Sequence, residues 1–365
     1  MARSLSLVDG SLIITEALVK SGADIFIGYP ITPSNRFYAY GKQRFPQFFA
    51  APDEISVLQW MAGASAAGKL PVTATAFPGL ALMVESINMA YAMELPMVIV
   101  VTQRLGPSTG SATTGAQGDL ALINGLVPGY PIPTFCPANF TDCWNLANKA
   151  VETALHLRTP VIFLTSKEMV MTSRSFNLNE LPDLPNHRRS RHSDEDFRPF
   201  DLTELEPMSK KNLGSDEQQV RFNASTHNKE GRIIKNDESL SLTSNLRKKI
   251  LRNAAELFEY EYWPGRQAKR LIVSHGVSAL AAMDAWLELK NNGQQVSLLI
   301  LKTLIPLTDQ IVSLIGQYEQ VIIVEENING QLKELIFGQA TPQNVRSLNK
   351  LGKMIKPSEI VHAIS

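Results

Sequence analysis

The chain is 365 residues long, 44% apolar and 19% charged, and its 35 basic residues balance its 35 acidic ones. That is an ordinary composition for two or three domains with sizeable cores, and a zero net charge offers no attraction to nucleic acid or an acidic membrane. No stretch approaches the ~18 apolar residues of a membrane span, and Met1 to Leu5 open no signal-peptide core, which predicts a soluble, cytoplasmic protein.

Asp9 to Ser21 reads as a helix with Asp9 or Ser11 as cap and Gly22 as its close. Ala23 to Ile27 is a short apolar run of the kind that forms a buried parallel strand. It ends in Gly28-Tyr29-Pro30-Ile31-Thr32-Pro33-Ser34, where two prolines fix φ and stiffen the loop. In open parallel sheets ligands bind beyond such strand ends, and Thr32 would point a hydroxyl into the crevice. A helix over 33–45 and a strand over 48–51 follow. Asp53-Glu54 then opens an Ala- and Gly-rich helix to Gly68, in which Ala62, Gly63, Ala66 and Ala67 permit close approach of another backbone. An acid in a first turn complements the helix dipole; the same carboxylate on a strand-to-helix loop can also face a ligand.

Pro71 to Ala76 is the next strand, turned by Phe77-Pro78-Gly79 into a helix over 80–87. Met97 to Val101 is the cleanest buried strand, and it runs into Gln103-Arg104, Gly106-Pro107-Ser108-Thr109-Gly110 and Gly115-Ala116-Gln117-Gly118-Asp119. So much Gly, Ser and Thr after a central strand costs backbone entropy and marks the lining of a site. Arg104 could clamp a carboxylate there in bidentate fashion, or serve in a surface ion pair. Cys136 and Cys143 are too few for a disulfide framework, a structural zinc or an iron–sulfur cluster, so they read as small buried apolar residues, and no metal site belongs to this chain alone. A helix over 142–156 and a strand over 160–164 complete a first domain, 1–175. Residues 176–268 form a polar, Pro-containing connector, helical only over 241–262. Residues 269–365 return to α/β order, with strands over 271–274, 295–301 and 321–327. The predicted fold is α/β, two doubly wound parallel sheets joined by a long connector.

Gly28-Tyr29-Pro30-Ile31-Thr32-Pro33-Ser34, Asp53-Glu54, the Gln103 to Gly110 stretch and Gln117-Gly118-Asp119-Leu120 together resemble the 2-oxoacid:ferredoxin oxidoreductase α subunit. His227-Asn228-Lys229-Glu230-Gly231, Pro306 and Glu325-Glu326-Asn327 with Gly330-Gln331-Leu332 extend the resemblance over nearly the whole chain. It implies a thiamine diphosphate pyrimidine-binding fold followed by a domain similar to the transketolase C-terminal one. It also implies a β subunit carrying the diphosphate- and Mg-binding half and a 4Fe–4S cluster, in an (αβ)2 assembly. The implied reaction is oxidative decarboxylation of a 2-oxoacid, with 2-oxoglutarate as first choice and pyruvate or a branched-chain 2-oxoacid next. Coenzyme A and ferredoxin take up the products.

Within that resemblance, Glu54 matches the carboxylate that bonds the aminopyrimidine nitrogen and drives its imino tautomer. Thr32 and Arg104 match the residues that hold the 2-oxoacid, and Pro30 packs on the cofactor side of the loop. Three departures accompany these matches. Phe77 stands where the family has a residue without a side chain, Leu105 where many members have Gly, and Ser11-Leu12-Ile13 replaces an Asn-Glu-Ala signature. They bear on substrate identity and leave a scaffold paralogue without turnover open; a non-redox thiamine diphosphate decarboxylase subunit is a further reading, which a partner's cysteines would decide.

Overall fold

The computed structural model describes residues 5–187, 199–200, 213 and 220–365. In chain order the first half runs β1 (Ser6–Val8), α1 (Gly10–Lys20), β2 (Ile25–Gly28), α2 (Asn35–Arg44), β3 (Gln47–Ala50), α3 (Glu54–Ala66), β4 (Pro71–Thr75), α4 (Phe77–Leu82), α5 (Val84–Ala92), β5 (Met97–Gln103), α6 (Leu120–Asn124), β6 (Thr134–Phe135), α7 (Phe140–Leu157), β7 (Pro160–Ser166), α8 (Lys167–Met171) and β8 (Arg174–Phe176). The second half runs α9 (Asp237–Arg252), α10 (Ala254–Leu257), β9 (Tyr260–Trp263), β10 (Arg270–His275), α11 (Ser278–Asn291), β11 (Val296–Leu301), β12 (Thr303–Ile305), α12 (Asp309–Ile315), β13 (Gln320–Glu325), α13 (Gln331–Phe337), β14 (Val345–Asn349) and α14 (Pro357–Ile364).

Seven strands form the larger sheet in the order β12-β6-β7-β5-β4-β2-β3, all parallel except β12. Its central members β4, β5 and β7 are buried along their whole length, as continuous apolar runs require. The chain steps outward from β2 to β3 and then returns past β2 to β4. Right-handed crossovers therefore put α2 and α3 on opposite faces. The helix packing agrees, since α1 meets α2 and α7 while α3 meets α4 and α5. Local chemistry sets the helix starts: Asp9 caps α1 through Leu12 N (3.1 Å) and Asn139 caps α7 through Asp142 N (2.8 Å).

The smaller sheet has the order β14-β13-β10-β11-β9, parallel except for β9. Both sheets are thus of the expected α/β, parallel-dominated kind. Strand β12 leaves the smaller sheet right after β11 and pairs with β6 at the edge of the larger one, Thr303 opposite Phe135 and Ile305 opposite Thr134. One apolar core accordingly runs through both halves, from Phe163 and Val100 to Leu301, Leu304 and Val273. A second lies between the smaller sheet and α11 and α14, around Trp286, Ile300 and Ile360.

The stretch expected to be connector differs from the sequence reading where it can be compared; residues 188–198, 201–212 and 214–219 of it lie outside the described residues. Helix α9 begins at Asp237, ahead of the expected start, because Asn236 and Ser239 form a reciprocal capping box. The helix expected to reach Tyr262 stops earlier, and Tyr260–Trp263 joins the smaller sheet as its antiparallel edge.

Candidate active site

The reversal of direction between β2 and β4 makes a topological switch point, the place where open α/β sheets hold their ligands. Four loops meet at this carboxyl edge. Thr32 follows β2, Glu54 follows β3, Phe77 to Gly79 follow β4 and Arg104 follows β5. Ser34, buried in the first loop, hydrogen-bonds the Thr75 carbonyl (2.8 Å) and the Thr102 hydroxyl (2.9 Å), so one side chain ties three strand ends together. Sequence reasoning passed over Ser34; its only signal was its place in the first motif.

Arg104 is 5% exposed, and its Nη1 donates to the Thr32 carbonyl at 2.5 Å. The structure thus brings Arg104 and Thr32 into direct contact through the Thr32 backbone, while the Thr32 hydroxyl accepts from Asn35 Nδ2 (3.1 Å). Among the described residues no carboxylate forms an ion pair with Arg104, and its Nε is buried without a hydrogen-bond partner. The surface ion pair weighed from sequence is therefore excluded. A buried guanidinium without a counter-ion carries a desolvation cost of several kcal/mol, which an anionic ligand offsets.

Nearby, Asp119 is 3% exposed with Oδ2 buried and unpartnered. Burial pushes its carboxyl up to about 7, against the pull of Arg104.

Glu54 is the first residue of α3, yet Asp53 does the capping, accepting from Ser56 N at 2.7 Å. Glu54 is 8% exposed, and among the described residues its carboxylate has no hydrogen-bond partner. It lies against the turn after β4. A Cβ at Gly79 would stand 2.8 Å from Glu54 Cγ, 2.9 Å from Glu54 Oε1 and 2.1 Å from Thr75 Oγ1. A carboxylate without a hydrogen-bond partner among the described residues, with glycine opening the space before it, fits the ring nitrogen of an aminopyrimidine. Among the described residues no cluster of three or more His, Cys, Asp or Glu is placed to hold a metal. Cys136 and Cys143 are free and buried, as small apolar residues would be.

Pro30 is exposed at the same edge. Phe77 opens α4 and is half-buried outside both apolar cores. Leu105 reaches toward the second half of the chain, its Cδ2 lying 3.5 Å from where a Cβ on Gly352 would be. His227 sits elsewhere, its ring against Phe200 (centroids 3.9 Å apart) and its Nδ1 2.7 Å from the Ser225 carbonyl.

The Gln117-Gly118-Asp119 and Glu325-Glu326-Asn327 stretches turn out to be two sides of one seam. Gln117 N donates to the Glu326 carbonyl (2.7 Å) and Glu326 N to Gln117 Oε1 (2.8 Å). Gln117 Nε2 donates to the His275 carbonyl (2.9 Å), Asn327 Nδ2 to the Gln117 carbonyl (3.1 Å), and Ser278 Oγ also bonds Gln117 Oε1. Gln331 adds bonds to Gly118 and Ala121, both 2.9 Å. The second half thereby fixes the far end of the Arg104 to Asp119 loop.

A family described as pyruvate flavodoxin/ferredoxin oxidoreductase, thiamine diphosphate-binding, matches residues 16–240. The 2-oxoglutarate synthase subunit KorA of Archaeoglobus fulgidus is 33% identical over 190 residues, 51% of this chain and 55% of that one. The subunit of the same name from Methanocaldococcus jannaschii is 25% identical over 364 residues, 98% of each chain. Among solved structures, the 2-oxoglutarate:ferredoxin oxidoreductase from Magnetococcus marinus shares the fold with a TM-score of 0.90 at 24% identity, covering 99% of this chain and 65% of that one. The chain thus spans about half of the Archaeoglobus subunit and 65% of the solved chain. The matched residues take in all four strand-end loops, and the chain belongs to the pyruvate flavodoxin/ferredoxin oxidoreductase family, in its thiamine diphosphate-binding part.

Proposed function

We propose that the chain is the α subunit of a thiamine diphosphate-dependent 2-oxoacid:ferredoxin oxidoreductase. It would oxidatively decarboxylate a 2-oxoacid, 2-oxoglutarate first, with coenzyme A to an acyl-CoA and carbon dioxide, the released electron pair reducing ferredoxin. The observation that carries this reading is the buried Arg104, without a counter-ion, at the same crevice edge as the unpartnered Glu54. The names of the relatives support the substrate.

In this reading Glu54 accepts a hydrogen bond from the cofactor's pyrimidine nitrogen and holds it protonated. Bound there, thiamine diphosphate supplies the carbon nucleophile and the electron sink for loss of carbon dioxide. Arg104 takes the oxoacid carboxylate, and Thr32 orients the adjoining carbonyl, so that the scissile bond is held in one geometry. Pro30 flanks the cofactor. A β subunit brings Mg, the diphosphate-binding half and the 4Fe–4S cluster, in a cytoplasmic (αβ)2 enzyme. Residues 1–175 form the pyrimidine half, 176–268 the connector and 269–365 the carboxyl-terminal domain.

The test is to tag the chain in its native host and purify it without oxygen. The expected companion has a Gly-Asp-Gly motif and cluster cysteines, and the complex turns over 2-oxoglutarate with coenzyme A and ferredoxin. A companion without cluster cysteines would favour the non-redox decarboxylase. Recovery of the chain alone and without thiamine diphosphate would favour the scaffold.

A further inference from the structure

Thr32 is held from two sides. Arg104 Nη1 donates to its carbonyl (2.5 Å), and Nδ2 of Asn35, the first residue of α2, donates to its hydroxyl (3.1 Å). A hydroxyl has one proton to give and lone pairs with which to accept. Asn35 fills a lone pair, and among the described residues the Thr32 proton has no acceptor. The loop does not need this bond to keep its shape. Ser34 N already closes the turn on the Ile31 carbonyl (2.8 Å), and the Ser34 hydroxyl anchors it to Thr75 and Thr102.

We propose that Asn35 is the positioning residue of Thr32: by donating to the hydroxyl oxygen it leaves the Thr32 proton as the donor for the oxo group of a 2-oxoacid. This rests on the assignment of Thr32 to that oxo group. A carbonyl oxygen accepts and never donates, so the group that reads it must present a proton. A hydroxyl with no fixed neighbour rotates, and in some orientations it shows the oxo group a lone pair instead. Aspartate at position 35 would reverse the polarity. Its carboxylate can only accept, so Thr32 would spend its proton on it and face the oxo group with a lone pair. The same change suits the helix, because the first turn of α2 holds no acid and the helix dipole favours one there. Stability and function are thus expected to move in opposite directions, whereas a role confined to closing the turn would move them together.

The experiment uses the assembled enzyme with its companion chain, as parent, Asn35→Ala, Asn35→Asp, Thr32→Val and the double variant Thr32→Val with Asn35→Asp. The values measured are kcat/KM for 2-oxoglutarate and the melting temperature. Asn35→Ala, which frees the hydroxyl to rotate, should lower kcat/KM by roughly two- to fivefold, and Asn35→Asp by roughly tenfold or more. The melting temperature of Asn35→Asp should equal or exceed the parent's. In the Thr32→Val background the loss caused by Asn35→Asp should vanish, because the hydroxyl through which it acts is gone. A new negative charge that repelled the oxoacid directly would cost as much there as in the parent. An Asn35→Asp enzyme no worse than Asn35→Ala overturns the proposal, and so does a loss that persists undiminished beside Thr32→Val. An unchanged kcat/KM in Thr32→Val instead overturns the assignment of Thr32 to the oxo group, so the two failures are distinguishable.

Discussion

Glu54 occupies a position that helix chemistry alone can explain, since an acid in a first turn is favoured by ~0.3–1 kcal/mol. The structure gives the capping bond to Asp53 and leaves the largely buried Glu54 with no hydrogen-bond partner for its carboxylate among the described residues, which helix stability does not require. Glu54→Gln therefore should leave the melting temperature of the enzyme within a few degrees of the parent. Turnover should fall by roughly 10²–10⁴-fold, the usual weight of a positioned acid or base. Near-normal turnover with intact folding would remove Glu54 from the chemistry. Gly79→Ala tests the space in front of it. The added Cβ would stand 2.1 Å from Thr75 Oγ1 and 2.8 Å from Glu54 Cγ, so a strand end and the carboxylate must both move. A loss of ~1–3 kcal/mol in a denaturant titration is expected, with a larger fall in turnover than that loss explains. A variant as stable and active as the parent would show that the turn has slack.

At the scale of elements, α13 depends on the chain before it. Glu325 accepts from Leu332 N (2.8 Å) and Lys333 N (3.2 Å), while Asn327 Oδ1 accepts from Gly330 N (2.7 Å) and Gln331 N (3.2 Å). The helix start and the bond from Asn327 to the Gln117 carbonyl are thus one arrangement. Asn327→Ala should cost ~1–3 kcal/mol, because it strips buried donors and an acceptor together. It should also raise the KM for the oxoacid by loosening the loop that carries Arg104; a stability loss with unchanged KM would separate the seam from the site. The sequence made β5 legible, since an unbroken apolar run states its own burial. It did not make β9 or β12 legible. Each is a strand only because a distant partner lies beside it, Leu298 to Leu301 for one and Thr134-Phe135 for the other. Thr32, Glu54 and Arg104 drew attention through their places on strand-end loops and through motif resemblance, whereas Gln117 as a hub depends on partners 158 to 210 residues away.

For the molecule as a whole, the two halves are joined by buried polar groups as well as by apolar packing. Lys302, between β11 and β12, bonds Asp142 (2.5 Å) and also Glu261, linking that junction to α7 and β9 across the halves. On the other side of the seam Glu326 is 2% exposed and accepts from Ile355 N at 3.0 Å. Burial pushes its carboxyl up to about 7; the Ile355 bond opposes this, the charge of Glu168 adds to it, and Lys350 opposes it. A raised acid binds its proton in the folded state at a pH where the unfolded chain has lost it. Stability should therefore decline as pH climbs from the ordinary glutamate range to about 7, by at most ~1.4 kcal/mol per unit, and level off above. Glu326→Gln keeps the acceptor for Ile355 and removes the ionisation. The variant's melting temperature should fall less steeply across that window, with a residual slope from Asp119, whose shift has the same sign. If the parent and the variant lose stability in parallel, Glu326 carries no proton in the folded enzyme, and the seam between the halves is held without it.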